Sequence, residues 1–102
     1  MEAAGPFASR RRDLHNNAAQ ACITLERWEE AVQCATAALE AEPTNAKALY
    51  RRAVALLAST EPAKAAQAKP DLLEVCRQQP NNSAARKLLA RLDGAHEAPA
   101  SA

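Results

Sequence analysis

Two prolines, Pro43 and Pro80, divide a chain that is otherwise compatible with helix throughout, and each is followed two residues later by an asparagine. Proline cannot continue a helix, because it lacks an amide hydrogen and its ring clashes with the preceding turn. The two glycines of the 102-residue chain lie near its ends. Hydrophobic residues make up 48% and aromatic residues 3%, so the apolar content is mainly alanine and leucine. This composition predicts an all-α fold of one domain.

Apolar residues recur at spacings of three and four, and this spacing predicts about five helices. We expect them over residues 13–25, 29–41, 46–59, 63–79 and 83–92. Either residue of the pairs Thr44/Asn45, Thr60/Glu61 and Asn82/Ser83 can provide the N-cap of the helix that follows it. Within the fourth helix Pro70 predicts a kink or a break, and Gly94 predicts the end of the fifth helix.

The two halves of the chain align with each other as repeats. The first, residues 12–45, spans 34 residues, and the second, residues 46–82, contains an insertion near Pro62 because Pro80 follows Pro43 by 37 residues. Small residues in the first repeat stand where two helices must approach closely; these are Ala19, Cys22, Ala31, Ala35 and Ala38. We predict a disordered arm over 1–11, a domain over 12–92 with a capping helix at 83–92, and a disordered tail over 93–102.

The first helix begins Leu14-His15-Asn16-Asn17-Ala18-Ala19, Ala31-Val32 follows, and the third helix contains Lys47-Ala48-Leu49-Tyr50-Arg51-Arg52-Ala53. These segments, with the 34-residue period and the closing proline, resemble the tetratricopeptide (TPR) region of co-chaperones. They are similar to the segment after the isomerase domain of large FK506-binding immunophilins and to the N-terminal domain of Unc-45 myosin chaperones. The resemblance is good over residues 12–58 and looser over 59–92. It implies antiparallel helix hairpins stacked in a short right-handed solenoid that binds proteins.

The resemblance also implies a binding site. Co-chaperones of this type grip the acidic C-terminal peptide of a heat-shock chaperone, Glu-Glu-Val-Asp, in a two-carboxylate clamp. Asn17, Lys47 and Arg51 match positions of that clamp, while Gln20, Thr24 and Tyr50 are candidates to line the same groove. Lys47 and Arg51 are four residues apart and therefore share one helix face. The alternative is an ordinary solvated face, in a scaffold module that binds a partner through its helical surface without recognising chaperone tails.

One part of the family pattern is missing from this chain. The family clamp includes a first repeat that supplies another lysine and another asparagine, whereas this chain starts where the second repeat would start. The apolar face of the first helix, with Leu14, Ala18 and Ala21, is then left without the helix that normally precedes it. We therefore expect self-association or docking onto another domain through this face, and weak binding by the partial clamp.

Composition and charge argue against several classes of function. The formal net charge is +1, and the longest basic run, Arg10-Arg11-Arg12, is better explained by a solvated helix start than by a nucleic-acid-binding arm. We expect no nucleic-acid partner, no membrane partner and no transmembrane helix. Cys22, Cys34 and Cys76 have no Cys-x-x-Cys spacing, which indicates small core residues of a cytoplasmic protein.

No pattern of catalytic or ligand-binding residues supports an enzyme. His15 stands at a repeat packing position and His96 in the predicted tail, and the chain has neither a phosphate-binding loop nor cysteine and histidine at zinc spacing. We therefore predict no catalytic residue, no cofactor and no metal. Asn16 is expected to face solvent.

Overall fold

The computed structural model describes the backbone of residues 6–58 and 62–101 and the side chains of residues 10–58 and 63–92. Over these ranges the chain forms five helices and no strand, which confirms the predicted all-α class. The helices are α1 (Pro6–Thr24), α2 (Trp28–Ala41), α3 (Ala46–Ala58), α4 (Pro62–Gln78) and α5 (Ser83–Ser101).

Each helix packs against the next one along the chain, and α1 also contacts α3. The connections at residues 25–27, 42–45 and 79–82 are short, so successive helices run in opposite directions. The result is a TPR-like helical solenoid, in which α1 and α3 are the first helices of their hairpins and lie side by side. The α1–α3 contact places side by side the two helices that carry the residues of the predicted clamp.

Alanines lie at the crossings of the helices, as the repeat pattern predicts. Ala19, Ala31, Ala35 and Ala38 have no exposed surface, while Cys22 is half-buried. The larger apolar side chains form one cluster between α2, α3, α4 and α5, in which Leu72 and Val75 are completely buried. The other buried members of this cluster are Ala38, Leu39, Ala48, Leu49, Ala53, Leu56, Ala68, Ala85 and Leu92.

The three cysteines are free thiols and are half-buried, less deeply than expected of core residues. Burial raises the pKa of the Cys34 thiol, and the neighbouring Cys22 raises it further. Cys34 therefore remains a protonated, weakly nucleophilic thiol at neutral pH, as expected of a packing residue.

The first and last helices are longer than the sequence predicts. α1 begins at Pro6, within the segment predicted to be disordered, and α5 continues past Gly94 to Ser101. Proline is favoured at the first position of a helix, where its missing amide hydrogen has no partner in any case. Alanines after Gly94 favour helix. Residues 1–5 and 102 of the predicted arm and tail lie outside the described part of the chain.

α4 is continuous through Pro70, so the predicted break does not occur. Proline at this position leaves the carbonyl of Ala66 without its helical donor. Both residues are exposed, which lets water satisfy that carbonyl and reduces the penalty. The helix starts at Pro62, as the sequence predicts, while its candidate caps Thr60 and Glu61 lie in the undescribed gap.

One ion pair joins α3 to α4 inside the solenoid. Asp71, only 5% exposed, accepts two hydrogen bonds from the Arg52 guanidinium, from Nε to Oδ2 and from Nη2 to Oδ1, each 2.8 Å long. Arg52 Nη1 also donates to Thr36 Oγ1 of α2 at 3.4 Å. The hydrogen bond with Asp71 raises the pKa of Arg52, so the pair stays charged. Arg52 thus connects α3 with α2 and α4.

We predict that Asp71→Ala lowers the free energy of unfolding by about 3 kcal/mol, because it leaves the partly buried Arg52 charge without a partner. Replacing both residues together, Arg52→Met with Asp71→Leu, should restore most of that loss. Urea unfolding followed by circular dichroism measures both effects. The matched control is Arg77→Ala, which removes an exposed pair with Glu74 and should change stability by less than about 1 kcal/mol. A loss for Asp71→Ala no larger than the control's would contradict this role.

The end of α1 is closed by a Schellman motif in which Glu26 has a positive φ of 60°. The Glu26 amide donates to the Ile23 carbonyl at 3.0 Å, and the Arg27 amide donates to the Cys22 carbonyl at 2.8 Å. This left-handed position favours glycine, since any Cβ is crowded by the following carbonyl.

We therefore predict that Glu26→Gly raises the free energy of unfolding by about 1 kcal/mol. The replacement relieves the crowding at this one position and leaves both hydrogen bonds of the motif in place. Thermal unfolding should show a higher Tm for Glu26→Gly and an almost unchanged Tm for the control Glu26→Gln, which keeps the Cβ. A lower Tm for the glycine variant would show that the Glu26 backbone is not strained in the left-handed conformation.

Candidate functional site

The N-terminus of α3, which carries Lys47, is fixed by a network centred on Asn45. Asn45 Oδ1 accepts the Ala48 amide hydrogen at 2.9 Å and is thereby the N-cap of α3. The same oxygen accepts a hydrogen bond from Asn16 Nδ2 of α1 at 3.0 Å. Asn45 Nδ2 donates to Glu42 Oε1 at 3.2 Å. The network joins α1 to the first turn of α3, so the position of Lys47 depends on both helices.

Arg12 completes this network from the first half of α1. Its Nη1 donates to Glu42 Oε1 at 2.5 Å, and its Nε donates to Asp13 Oδ1 at 3.0 Å. The hydrogen bond from Arg12 lowers the pKa of Glu42, so this carboxylate is ionised at neutral pH and remains an acceptor for Asn45. Arg12 is thus engaged by two carboxylates of the chain itself.

The expectation that Asn16 faces solvent is wrong. Asn16 is 4% exposed and points at the α3 cap, and its own Oδ1 is buried without a hydrogen-bond partner. Its orientation follows from the cap: Asn45 Oδ1 must accept from Ala48, so it can only receive a donor, and Asn16 must present its amide nitrogen. A polar residue on the buried face of α1 was not recognisable without its tertiary partner.

A cavity of about 200 Å³ opens between α1, α3 and the α4–α5 connection; we call it the basic cavity. It brings together four of the predicted site residues, and Gln79 and Asn82 line it from the opposite side. The four are Gln20, Lys47, Tyr50 and Arg51. Arg51 Nε donates to Gln20 Oε1 at 3.2 Å, which fixes the guanidinium at the cavity wall. No acidic residue is among the described residues that line the cavity.

The other two predicted site residues, Asn17 and Thr24, do not line this cavity. Asn17 is exposed on α1, one turn before Gln20, and so lies on the same flank of the helix. Thr24 is exposed and donates to the Gln20 carbonyl at 3.0 Å. Within the described chain, neither the side-chain amide of Asn17 nor the ammonium group of Lys47 has a hydrogen bond or an ion pair. Each group can therefore bind a ligand without breaking a contact inside the chain.

A second, larger cavity of about 460 Å³ adjoins the first and shares Ala46, Lys47 and Gln79 with it. It differs in charge, because Asp13 and Glu42 line it together with Arg12 and Lys47. Positive and negative groups balance there, whereas the basic cavity carries two positive charges. An anionic group is therefore attracted to the basic cavity and not to its neighbour.

Two other kinds of site are absent from the part of the chain that the structure describes. No group of three or more histidine, cysteine, aspartate or glutamate side chains converges there in a way that suits a metal ion. Among the same residues, no helix combines the length and the apolar character needed to cross a membrane.

Comparison with known proteins shows homology to short segments of larger chains. Over 79 residues the chain is 40% identical to sperm-associated antigen 1 of Rattus norvegicus and 39% identical to that of Mus musculus. It is 34% identical over 55 residues to the peptidyl-prolyl cis-trans isomerase PASTICCINO1 of Arabidopsis thaliana. These matches cover 78% and 54% of this chain but only 8% and 9% of the relatives. No family model and no solved structure matches the chain.

The chain therefore combines an all-α, TPR-like fold with sequence similarity to one segment of sperm-associated antigen 1 and to one segment of an isomerase. The chain spans less than a tenth of the length of each of these relatives.

The two asparagine caps allow a matched test of the network around Lys47. Asn45 and Asn82 each accept one amide hydrogen three residues ahead, at 2.9 and 3.0 Å, but only Asn45 also accepts from buried Asn16. We predict that Asn82→Ala lowers the free energy of unfolding by about 1 kcal/mol. Asn45→Ala should lower it by about 1–3 kcal/mol more, because Asn16 loses its partner. Equal losses in urea unfolding would show that the Asn16 contact adds nothing.

Proposed function

We propose that this chain is a protein-interaction module that binds the acidic C-terminal peptide of a heat-shock chaperone. The observation that supports the proposal is the basic cavity, which Lys47 and Arg51 line together and which no described acidic residue lines, although Asp13 and Glu42 line the adjoining cavity that shares Lys47. On an ordinary solvated face, cations are commonly balanced by nearby carboxylates, as Arg77 is by Glu74. The balance is absent at Lys47, which has no ion-pair partner among the described residues.

The chemistry of the two cations suits a carboxylate ligand. A guanidinium presents two parallel N–H groups to the two oxygens of a carboxylate, and a lysine adds a mobile point charge. Arg51 donates a hydrogen bond from Nε to Gln20 Oε1, which leaves its two terminal nitrogens available to a ligand. We assign the terminal carboxylate of the peptide to Lys47 and Arg51, with the exposed Asn17 amide as a donor to the peptide as it leaves the cavity.

Binding by this partial clamp should be weak. Arg12 is engaged by Glu42 and Asp13 and therefore does not add a third cation to the clamp. Each charge-assisted hydrogen bond that the clamp lacks is worth about 1.5–3 kcal/mol of affinity. The free thiols at all three cysteines are compatible with a reducing compartment, and we propose a cytoplasmic location.

The test is titration with a Met-Glu-Glu-Val-Asp peptide that has a free C-terminus, compared with the same peptide amidated. We predict that the free acid binds about ten- to a hundredfold more tightly, and that high salt reduces its affinity. Lys47→Ala with Arg51→Ala should remove the difference between the two peptides. Isothermal titration calorimetry or fluorescence anisotropy gives both affinities.

Lys87→Ala with Arg91→Ala is the matched control, since these two exposed cations are also four residues apart on one helix but lie outside the basic cavity. This control should keep the preference for the free acid. Equal binding of the two peptides, or no binding at millimolar protein concentration, would overturn the proposal.

The alternative is a scaffold module that binds partners through its helical surface and ignores chaperone tails. One observation favours it: Leu14 and Leu25 of the first hairpin are about two-thirds exposed, at 68% and 65%. Such leucines on one edge of a solenoid mark a surface that another helix can cover.

A further inference from the structure

Four apolar residues form a continuous stripe along the outer edge of α1: Leu14, Ala18, Ala21 and Leu25. We call it the α1 stripe. Their spacing of four, three and four places them on one helix face. Leu25 lies just after α1, yet its amide donates to the Ala21 carbonyl at 3.0 Å and so continues the helical register. The stripe therefore extends over three turns of helix.

The α1 stripe faces away from the rest of the solenoid. Asn16 and Ala19, the buried residues of α1, lie on the side that packs against α2 and α3. At about 100° per residue, the stripe falls on the opposite side of the helix. Leu14 and Leu25 at its two ends are exposed by 68% and 65%, Ala21 is exposed, and Ala18 is half-buried.

We propose that the α1 stripe is a homodimer interface, in which α1 of one copy packs antiparallel to α1 of a second copy. The order leucine, alanine, alanine, leucine with spacings of four, three and four is the same when read in either direction. A two-fold axis through its middle therefore places Leu14 of one copy against Leu25 of the other and brings the alanine pairs together at the crossing. Two-fold interfaces require this kind of self-complementary surface.

The size of the side chains also suits a second helix. Alanines at the centre of the stripe allow two helix axes to approach closely, while a leucine at each end encloses the contact. The same arrangement, alanine at the crossing, holds α1 against α2 within this chain, where Ala19 and Ala31 are fully buried.

Charge favours the antiparallel orientation over the parallel one. The end of α1 that carries Leu14 also carries the exposed cations Arg10 and Arg11. The end that carries Leu25 is followed by three exposed carboxylates, those of Glu26, Glu29 and Glu30. Arg27 pairs with Glu30 at 3.5 Å and Lys64 of α4 pairs with Glu29 at 3.8 Å, so these five side chains together leave a net negative charge at this end. In an antiparallel dimer the basic end of each copy faces the acidic end of the other, and the helix dipoles are also opposed. A parallel dimer would place like charges together at both ends.

Sedimentation equilibrium of the unmodified chain over a range of concentrations tests the interface. We expect a reversible monomer–dimer equilibrium. Ala18→Arg and Ala21→Arg should each raise the dimer dissociation constant at least tenfold, because each puts an unpaired charge at the crossing. The matched control is Ala66→Arg, an exposed alanine of α4, which should leave the equilibrium unchanged. Circular dichroism establishes that the variants fold. A monomer at every concentration up to the millimolar range would overturn the proposal.

Cross-linking tests the orientation. In a background with Cys22, Cys34 and Cys76 replaced by alanine, we expect a mixture of the Leu14→Cys and Leu25→Cys variants to form a covalent heterodimer on oxidation by oxidised glutathione. Each variant alone should not cross-link. In the antiparallel dimer the two copies of residue 14 are about 16 Å apart along the axis, beyond the reach of a disulfide. Efficient cross-linking of Leu14→Cys alone would exclude the antiparallel arrangement.

A charge exchange offers a measurement that does not alter the apolar surface. Arg10→Glu with Arg11→Glu should weaken the dimer, and its mixture with a Glu26→Arg, Glu30→Arg variant should form heterodimers in preference to either homodimer. Absence of that preference at low salt would show that charge does not set the orientation. None of these residues lines the basic cavity, so the outcome is independent of peptide binding.

Discussion

Alanine side chains with no solvent exposure lie on all five helices, and they set how closely the helices approach. Ala19 of α1 and Ala48 of α3 are completely buried, and α1 and α3 are in contact, so polar side chains on the flanks of the two helices can meet. The hydrogen bond from Arg51 to Gln20 and that from Asn16 to Asn45 both cross this contact. A larger side chain at either alanine would separate the helices, and both the basic cavity and the α3 cap would lose one wall.

α3 is the element on which both halves of the solenoid depend, and its consecutive arginines show how. Neighbouring residues on a helix point about 100° apart. Arg51 therefore points to the basic cavity and donates a hydrogen bond to Gln20 of α1. Arg52 instead points between α2 and α4 and pairs with buried Asp71. The two residues are chemically identical, but Arg52 has its carboxylate inside the chain. Arg51 has only an amide, so its charge is available to a ligand.

The sequence predicts this structure best where a local physical rule determines it. The sequence predicts the starts of α3 and α5 after Pro43 and Pro80 and offers two candidate caps for each, Thr44 or Asn45 and Asn82 or Ser83. In the structure the asparagine is the cap in both cases, because its side-chain oxygen accepts a free amide hydrogen of the helix. The four-residue spacing of Lys47 and Arg51 predicts a shared helix face, and both residues line the basic cavity. The sequence did not predict the ends of α1 and α5, since it has no regular apolar spacing there and contains proline and glycine. Asn16, Gln79 and Asn82 were missed as site residues because only tertiary contacts bring them there.

The weak hydrophobic periodicity of α1 has a physical cause that connects the two surfaces of this chain. α3 separates an apolar side from a polar one and therefore shows a clear helical period, whereas α1 shows much less of one. The buried side of α1 includes the polar Asn16, which the α3 cap requires, and its outer side includes the exposed Leu14. Between them lies the flank with Asn17 and Gln20, next to the basic cavity. In the proposed dimer and peptide complex, α1 contacts a neighbour on two sides and a ligand on a third, and such a helix cannot keep its apolar residues on one face. The mixed pattern of α1 is therefore expected of a helix with several contact surfaces, and its exposed leucines follow from the same requirement as its buried asparagine.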